Sequence, residues 1–114
     1  MSSQVSYIPN RGDIVWFNFD PSKGSEQKGN RPAVILTPLN YNSFGLCYCM
    51  PITSKIKGYH IEVLLKKNQK TSGAILTNQM LAIDWKVRKV NFVEKLDIQS
   101  LSEIDSKLRT ILNL

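Results

Sequence analysis

The side chains able to do chemistry are few and scattered. Asp13, Asp20, Glu26, Glu62 and Asp84 lie far apart, and no pair has a spacing that defines a metal cage. A Ser-His-Asp or Cys-His nucleophile needs a histidine, and the chain has only His60, at the start of an expected strand beside Tyr59. A half-exposed strand position accounts for it without catalysis, and paired imidazoles acting as acid and base are excluded by the count. Cys47 and Cys49 are the only cysteines. Their spacing in a strand places both on one face, as small buried groups. A disulfide between them would be strained, and a zinc site lacks further cysteines and a second histidine.

One reaction needs neither metal nor histidine. RNA carries its own nucleophile, the 2′-hydroxyl beside the scissile phosphate. A catalyst must orient that oxygen, take its proton, stabilise the phosphorane and protonate the leaving 5′-oxygen. A fixed arginine suits the charge-stabilising role, because its planar fork matches phosphate oxygens. Arg31 is such a cation: it ends a long polar loop just before an apolar strand. A threonine hydroxyl can hold a phosphate oxygen, and a carboxylate can act as base if burial raises its pKa. The products are a 2′,3′-cyclic phosphate and a 5′-hydroxyl end. Composition allows this chemistry without singling it out.

The elements that must position these groups are legible in the periodicity. Residues 1–10 read as a polar tail. Ile14–Phe19 is rich in β-branched and aromatic residues and reads as a strand. Asp20–Asn30 is a loop punctuated by Pro21, Gly24 and Gly29. Ala33–Thr37 is a continuous apolar run, expected as a central strand buried on both faces and ended by Pro38. Leu39–Gly45 is a turn region with room for one helical turn. Leu46–Ile52 is a third strand, and Thr53–Tyr59 a second loop with two lysines. Ile61–Leu65 is a strand, Lys66–Ser72 a hairpin loop, and Ala74–Thr77 with Met80–Ile83 two short strands or one bent one. Lys89–Val93 reads as the last strand. The period then becomes helical at Leu101, Ile104, Leu108, Ile111 and Leu112, behind a capping-box signature at Ser100 and Glu103. Short strands, long loops and a helix over about 101–113 predict one domain, mainly β with a C-terminal α-helix, an SH3-like small barrel.

The chain has 114 residues, 42% hydrophobic, which suits one modest core. Its net charge is +6. Lys and Arg outnumber Asp and Glu by six to three in residues 1–57 and by nine to six in residues 58–114, so a folded basic surface fits better than a basic arm. Such a surface favours polyanionic partners. No apolar run approaches the ~20 residues that span a bilayer. The first residues lack the charged and apolar regions of a signal peptide, and the free thiols fit a reducing compartment, so the cytoplasm is expected.

Particular motifs go further. Gly12-Asp13-Ile14-Val15-Trp16 with Phe19-Asp20-Pro21, then Gly24-Ser25-Glu26-Gln27 through Gly29-Asn30-Arg31-Pro32-Ala33-Val34-Ile35-Leu36, resemble the first strand, loop and second strand of the MazF/PemK family of toxins. Pro51-Ile52-Thr53-Ser54, Lys57-Gly58-Tyr59, Asn78-Gln79 and Ile83-Asp84-Trp85 resemble later blocks of the same family, close to its MazF branch. The similarity runs from about Gly12 to Arg88. It implies the CcdB/PemK-like toxin fold and a metal-independent, sequence-specific endoribonuclease of single-stranded mRNA, without cofactor, that arrests growth. It also implies a homodimer, neutralised by an acidic MazE-like antitoxin through which any DNA contact would run. The matching catalytic positions are Arg31, Thr53 and the loop carboxylate Glu26. Arg31 would stabilise the phosphorane and Thr53 position the phosphate, while proton transfer stays open among the three. Phe19, Asp20, Lys57 and Gln79 border the site by the same alignment. Trp16 and Trp85 fit core or dimer-interface positions better than base stacking.

Two features depart from the pattern. Family members often carry Arg or Lys two residues after the glutamine matching Gln79, where this chain has Leu81, and His60 has no functional counterpart. Both bear on specificity rather than on Arg31 or Thr53. The rival readings are a gyrase-poisoning toxin of the CcdB kind and a non-catalytic RNA- or protein-binding SH3-like module. The first carries a C-terminal Trp-Gly-Ile, whereas this chain ends Ile111-Leu112-Asn113-Leu114. The second does not call for Arg31 and Thr53 together.

Overall fold

The computed structural model describes residues 7–18 and 29–114. Phe19, Asp20, Glu26, the 20–28 stretch of the first loop and residues 1–6 of the tail lie outside the described residues. Seven strands and two helices follow in order: β1 (Asp13–Asn18), β2 (Asn30–Ile35), α1 (Leu39–Asn42), β3 (Leu46–Thr53), β4 (Glu62–Leu64), β5 (Ala74–Leu76), β6 (Leu81–Asp84), β7 (Asn91–Lys95) and α2 (Ile98–Leu112). Every strand pairing is antiparallel.

β3 organises the sheet. One edge pairs with β2, setting Ala33 opposite Pro51 and Ile35 opposite Cys49. Its other edge is shared: Leu46–Cys49 pair with β6, and Ile52–Thr53 pair with β5. A single strand therefore serves two neighbours in succession, and the sheet bends between them. This resolves the Ala74–Ile83 region into two strands. β1 bridges β2 and β7, with a register shift between Ile14 and Val15 where β7 carries an extra residue.

Side-chain alternation along β1, β2 and β3 divides the core. Ile14, Val34, Met50 and Ile52 point to one face, under Ile104 and beside Val63 and Ile75. Val15, Phe17, Ala33, Ile35, Cys47 and Cys49 point to the other, against Ile83 and Trp85. β2 is thus covered on both sides, as its unbroken apolar run requires. Cys47 and Cys49 share one face and are wholly buried. Burial pushes the Cys47 thiol up to about 12 and raises Cys49 as well.

Several boundaries differ from expectation. β2 runs Asn30–Ile35 and not Ala33–Thr37: its pairing with β1 extends to Asn30, so Arg31 lies within the strand. Both ends of β7 and the start of α2 also shift. α2 begins three residues before Leu101, because its N-cap is Asp97 and not Ser100. Asp97 accepts the Ser100 amide at 3.1 Å and the Ser100 hydroxyl at 2.6 Å, so Ser100 is a buried first-turn residue. β7 starts at Asn91 because Lys89 takes a left-handed conformation (φ 54°) in the preceding turn. No helix among the described residues is long and apolar enough to cross a membrane.

Candidate active site

The site forms where the β2–β3 ladder opens. Carrying the Ala33–Pro51 register two residues outward sets Arg31 opposite Thr53. Arg31 is the second residue of β2 and lies across from Phe17 of β1, so its backbone is paired in the sheet. Pro32 follows it and fixes the strand entry. Thr53 closes β3, is 6% exposed, and pairs with Ala74 of β5. Its Oγ1 accepts the Lys55 amide at 3.1 Å, which folds the next residues into a turn. The hydroxyl proton is then directed elsewhere and can be donated to a phosphate oxygen.

The loop 54–61 that follows β3 walls the site. Lys57 and Tyr59 stand together, the ammonium 5.9 Å from the ring centroid. Tyr59 is 60% exposed and offers a free ring face. Beneath the loop, the buried Glu62 carboxylate accepts the Lys57 amide at 3.1 Å and the Gly58 amide at 2.9 Å. Gly58 has φ 79°, a conformation that costs glycine little and a β-carbon residue more. The Thr77 amide and hydroxyl both donate to the Ile61 carbonyl, tying the end of the loop to the turn that follows β5.

Together these elements enclose a cleft of about 300 Å³, lined by Arg31, Thr53, Lys55, Lys57, Tyr59 and Gln79, with Glu62 and Asn78 at its margin. Among the described residues three cations line it, while the one carboxylate is turned onto backbone amides. Gln79 Oε1 is buried there with no hydrogen-bond partner among the described residues. An acceptor desolvated in this way is costly unless a ligand donor meets it. Among the described residues no group of three or more His, Cys, Asp or Glu side chains is placed to hold a metal ion.

Arg31, Thr53, Lys57 and Gln79 therefore come from four separate segments into one cleft. Phe19, Asp20 and Glu26 belong to the stretch outside the described residues. Trp85 is a core residue whose indole N–H donates to the Asn42 carbonyl at 2.7 Å. Trp16 is 44% exposed and lies in a different groove, with Val87 and Lys89. His60 is exposed and its carbonyl accepts Lys107 Nζ at 2.6 Å, outside the cleft lining. Glu62, Lys55, Tyr59 and Gly73 have parts in the site that sequence reasoning did not assign. Glu62 read as one of several scattered acids. Its signal was an acid inside an apolar strand, four residues after a glycine.

Residues 10–112 match the family described as PemK-like, MazF-like toxin of type II toxin-antitoxin system. The chain is 40% identical over 107 residues to the endoribonuclease toxin MazF of Escherichia coli (strain K12), covering 93% of this chain and 96% of that protein. The crystal structure of MazF (Form-I) from Deinococcus radiodurans has the same fold, with a TM-score of 0.92 at 37% identity over 96% of this chain and 100% of the other. A chain in the MazE-MazF (Form-II) crystal structure from that organism gives 0.85 at 34% identity, covering 96% and 99% of the two chains. The chain belongs to the MazF/PemK family of toxin endoribonucleases from type II toxin–antitoxin systems.

Proposed function

We propose that this chain cleaves single-stranded mRNA without a metal, by attack of the RNA's own 2′-hydroxyl, and so arrests translation and growth. The observation that carries the reading is that Arg31 and Thr53 line one cationic cleft together, just beyond the end of the β2–β3 ladder. The Arg31 guanidinium stabilises the charge that builds on the phosphorane. The Thr53 hydroxyl, bent by its contact with the Lys55 amide, donates to a non-bridging oxygen. Lys57 neutralises an adjacent phosphate, and the exposed Tyr59 ring stacks an unpaired base. Gln79 Oε1 accepts from a base edge, which gives the site its reading of sequence. Glu26 and Asp20, on the first loop, complete proton transfer and base contact with Phe19.

The same cationic cleft suits an acidic, disordered segment that folds on binding, which is the chemistry of a MazE-like antitoxin. The complex with MazE formed by the Deinococcus relative supports that partner. The working unit is a homodimer in the cytoplasm, with DNA reached only through the antitoxin.

The test is incubation of the purified protein with a long single-stranded RNA in excess EDTA, beside Arg31→Ala, with the ends mapped. Discrete cuts bearing 2′,3′-cyclic phosphate and 5′-hydroxyl ends, absent in the variant, are expected. A folded protein that leaves varied RNAs intact overturns the reading.

A further inference from the structure

The loop 54–61 presents Lys55, Lys57 and Tyr59 to the cleft, yet residues 54–60 are all exposed and bury no apolar side chain of their own. Something other than packing must fix its shape. Glu62 is 7% exposed, so its carboxylate has been taken out of water. Such burial is costly unless hydrogen bonds replace the lost hydration. The ion pairs formed among the described residues do not include Glu62. Its bonds go instead to the loop backbone. Oε1 accepts the Gly58 amide at 2.9 Å, and Oε2 accepts the Lys57 amide at 3.1 Å. The Glu62 amide closes the turn by donating to the Tyr59 carbonyl at 3.0 Å. The Lys57 amide also lies 3.3 Å from Oε1, so the carboxylate holds both N–H groups where the loop brings them together.

We infer that Glu62 is a positioning residue for RNA cleavage, holding the backbone at Lys57 and Gly58 so that the Lys57 ammonium and the Tyr59 ring are fixed for a phosphate and a base. The inference rests on the endoribonuclease reading above. Glu62 does not itself touch the reacting atoms in this account, because its oxygens are committed to amides. Displacements of about an ångström at such a wall are enough to cost up to about a hundredfold in rate.

Three measurements on the full chain test it together: RNA cleavage rates, thermal unfolding, and amide hydrogen exchange by NMR, for wild type, Glu62→Gln, Lys57→Ala and the double variant. Glu62→Gln removes the negative charge and turns one of the two oxygens into an N–H donor, which opposes the Lys57 amide in either orientation because that amide reaches both oxygens. It is expected to lower kcat/KM by about tenfold or more, a modest displacement of the wall on that scale. Exchange at Lys57 and Gly58 should quicken, with the unfolding midpoint nearly unchanged. In the Lys57→Ala background the same change should cost less than in wild type, the remainder acting through Tyr59. Equal losses in both backgrounds overturn the inference, as does unchanged exchange at the two amides. If Glu62→Gln does not fold, Glu62→Asp, which keeps the charge but withdraws it by one methylene, is read in the same way. A wild-type protein that leaves RNA uncut sinks the endoribonuclease reading instead, and the exchange data then judge the loop fastening alone.

Discussion

Gly73 and Thr53 meet backbone to backbone: a β-carbon on Gly73 would stand 2.2 Å from the Thr53 carbonyl oxygen. Gly73 also has φ 125°, a conformation that favours glycine. The residue at the entry to β5 therefore sets how closely β5 can approach the end of β3, and with it where Thr53 sits. Gly73→Ala forces either β5 or Thr53 to move. The expected cost is about 1–3 kcal/mol of stability. Thermal unfolding measures that part. RNA cleavage should fall further than stability does, because the displaced residue carries the hydroxyl that lines the cleft with Arg31. Gly45→Ala, at φ 115° but in open space and outside the cleft lining, serves as the comparison.

Thr53→Val separates the hydroxyl from the shape. The new side chain keeps the branched volume at a position that is 6% exposed, but it can neither accept the Lys55 amide nor donate to phosphate. The stability cost should be about 1 kcal/mol, that of one lost hydrogen bond. The loss in kcat should reach about a hundredfold, the scale seen when one donor to a developing oxyanion is removed. If kcat falls no more than stability predicts, Thr53 is a turn residue only.

Gln79 is the position where stability and function oppose each other. Its Oε1 is buried without a partner among the described residues. Replacing it with Leu removes that unmet acceptor, so Gln79→Leu should be as stable as wild type or more stable by about 1 kcal/mol. Cleavage should persist on RNA as a whole but lose its preference at one base, read by mapping cut sites across a mixed RNA pool. Unchanged site choice would show that Gln79 does not read sequence.

Much of this was legible in the chain. The continuous apolar run at Ala33–Thr37 told of burial on both faces because alternation was missing there, though the strand itself ends at Ile35, and the helical period from Leu101 told of the closing helix. The cysteine pair at 47 and 49 was readable from parity alone. Arg31, Thr53, Lys57 and Gln79 were singled out through resemblance of short blocks, and all four line one cleft. What stayed hidden depends on contacts distant in sequence. Ser100 with Glu103 carried a capping pattern, but Asp97 was closer to the true chain reversal and took the Ser100 amide first. Glu62 read as one of several scattered acids, its place in an apolar strand after Gly58 being the one local sign. Gly73 was assigned no part, because its crowding comes from β3.

The last prediction concerns acid. Glu94 of β7 accepts the Lys70 amide at 3.0 Å, the Thr71 amide at 2.7 Å and the Gln69 side chain at 2.7 Å, and so holds the β4–β5 hairpin loop against the sheet. Desolvation raises its pKa, but the hydrogen bonds from the loop together outweigh that and hold its carboxyl below the usual 4.5. Asp97 behaves alike: desolvation is outweighed by Ser100 and Lys66, and its carboxyl lies below 3.8. In both cases the folded state binds the proton less readily than the unfolded chain. Their contribution to stability is thus present above the ordinary carboxylate values and is lost as pH falls through the lowered ones. Unfolding midpoints taken from pH 6 down should decline below about pH 4.5, the upper end of that window. Glu94→Gln should be less stable at pH 6 and show a shallower decline. Asp97→Asn, which keeps a capping oxygen, should flatten the acid limb with little loss at neutral pH, since Asn caps nearly as well as Asp. Parallel acid limbs in wild type and both variants would mean that other carboxylates set the acid response.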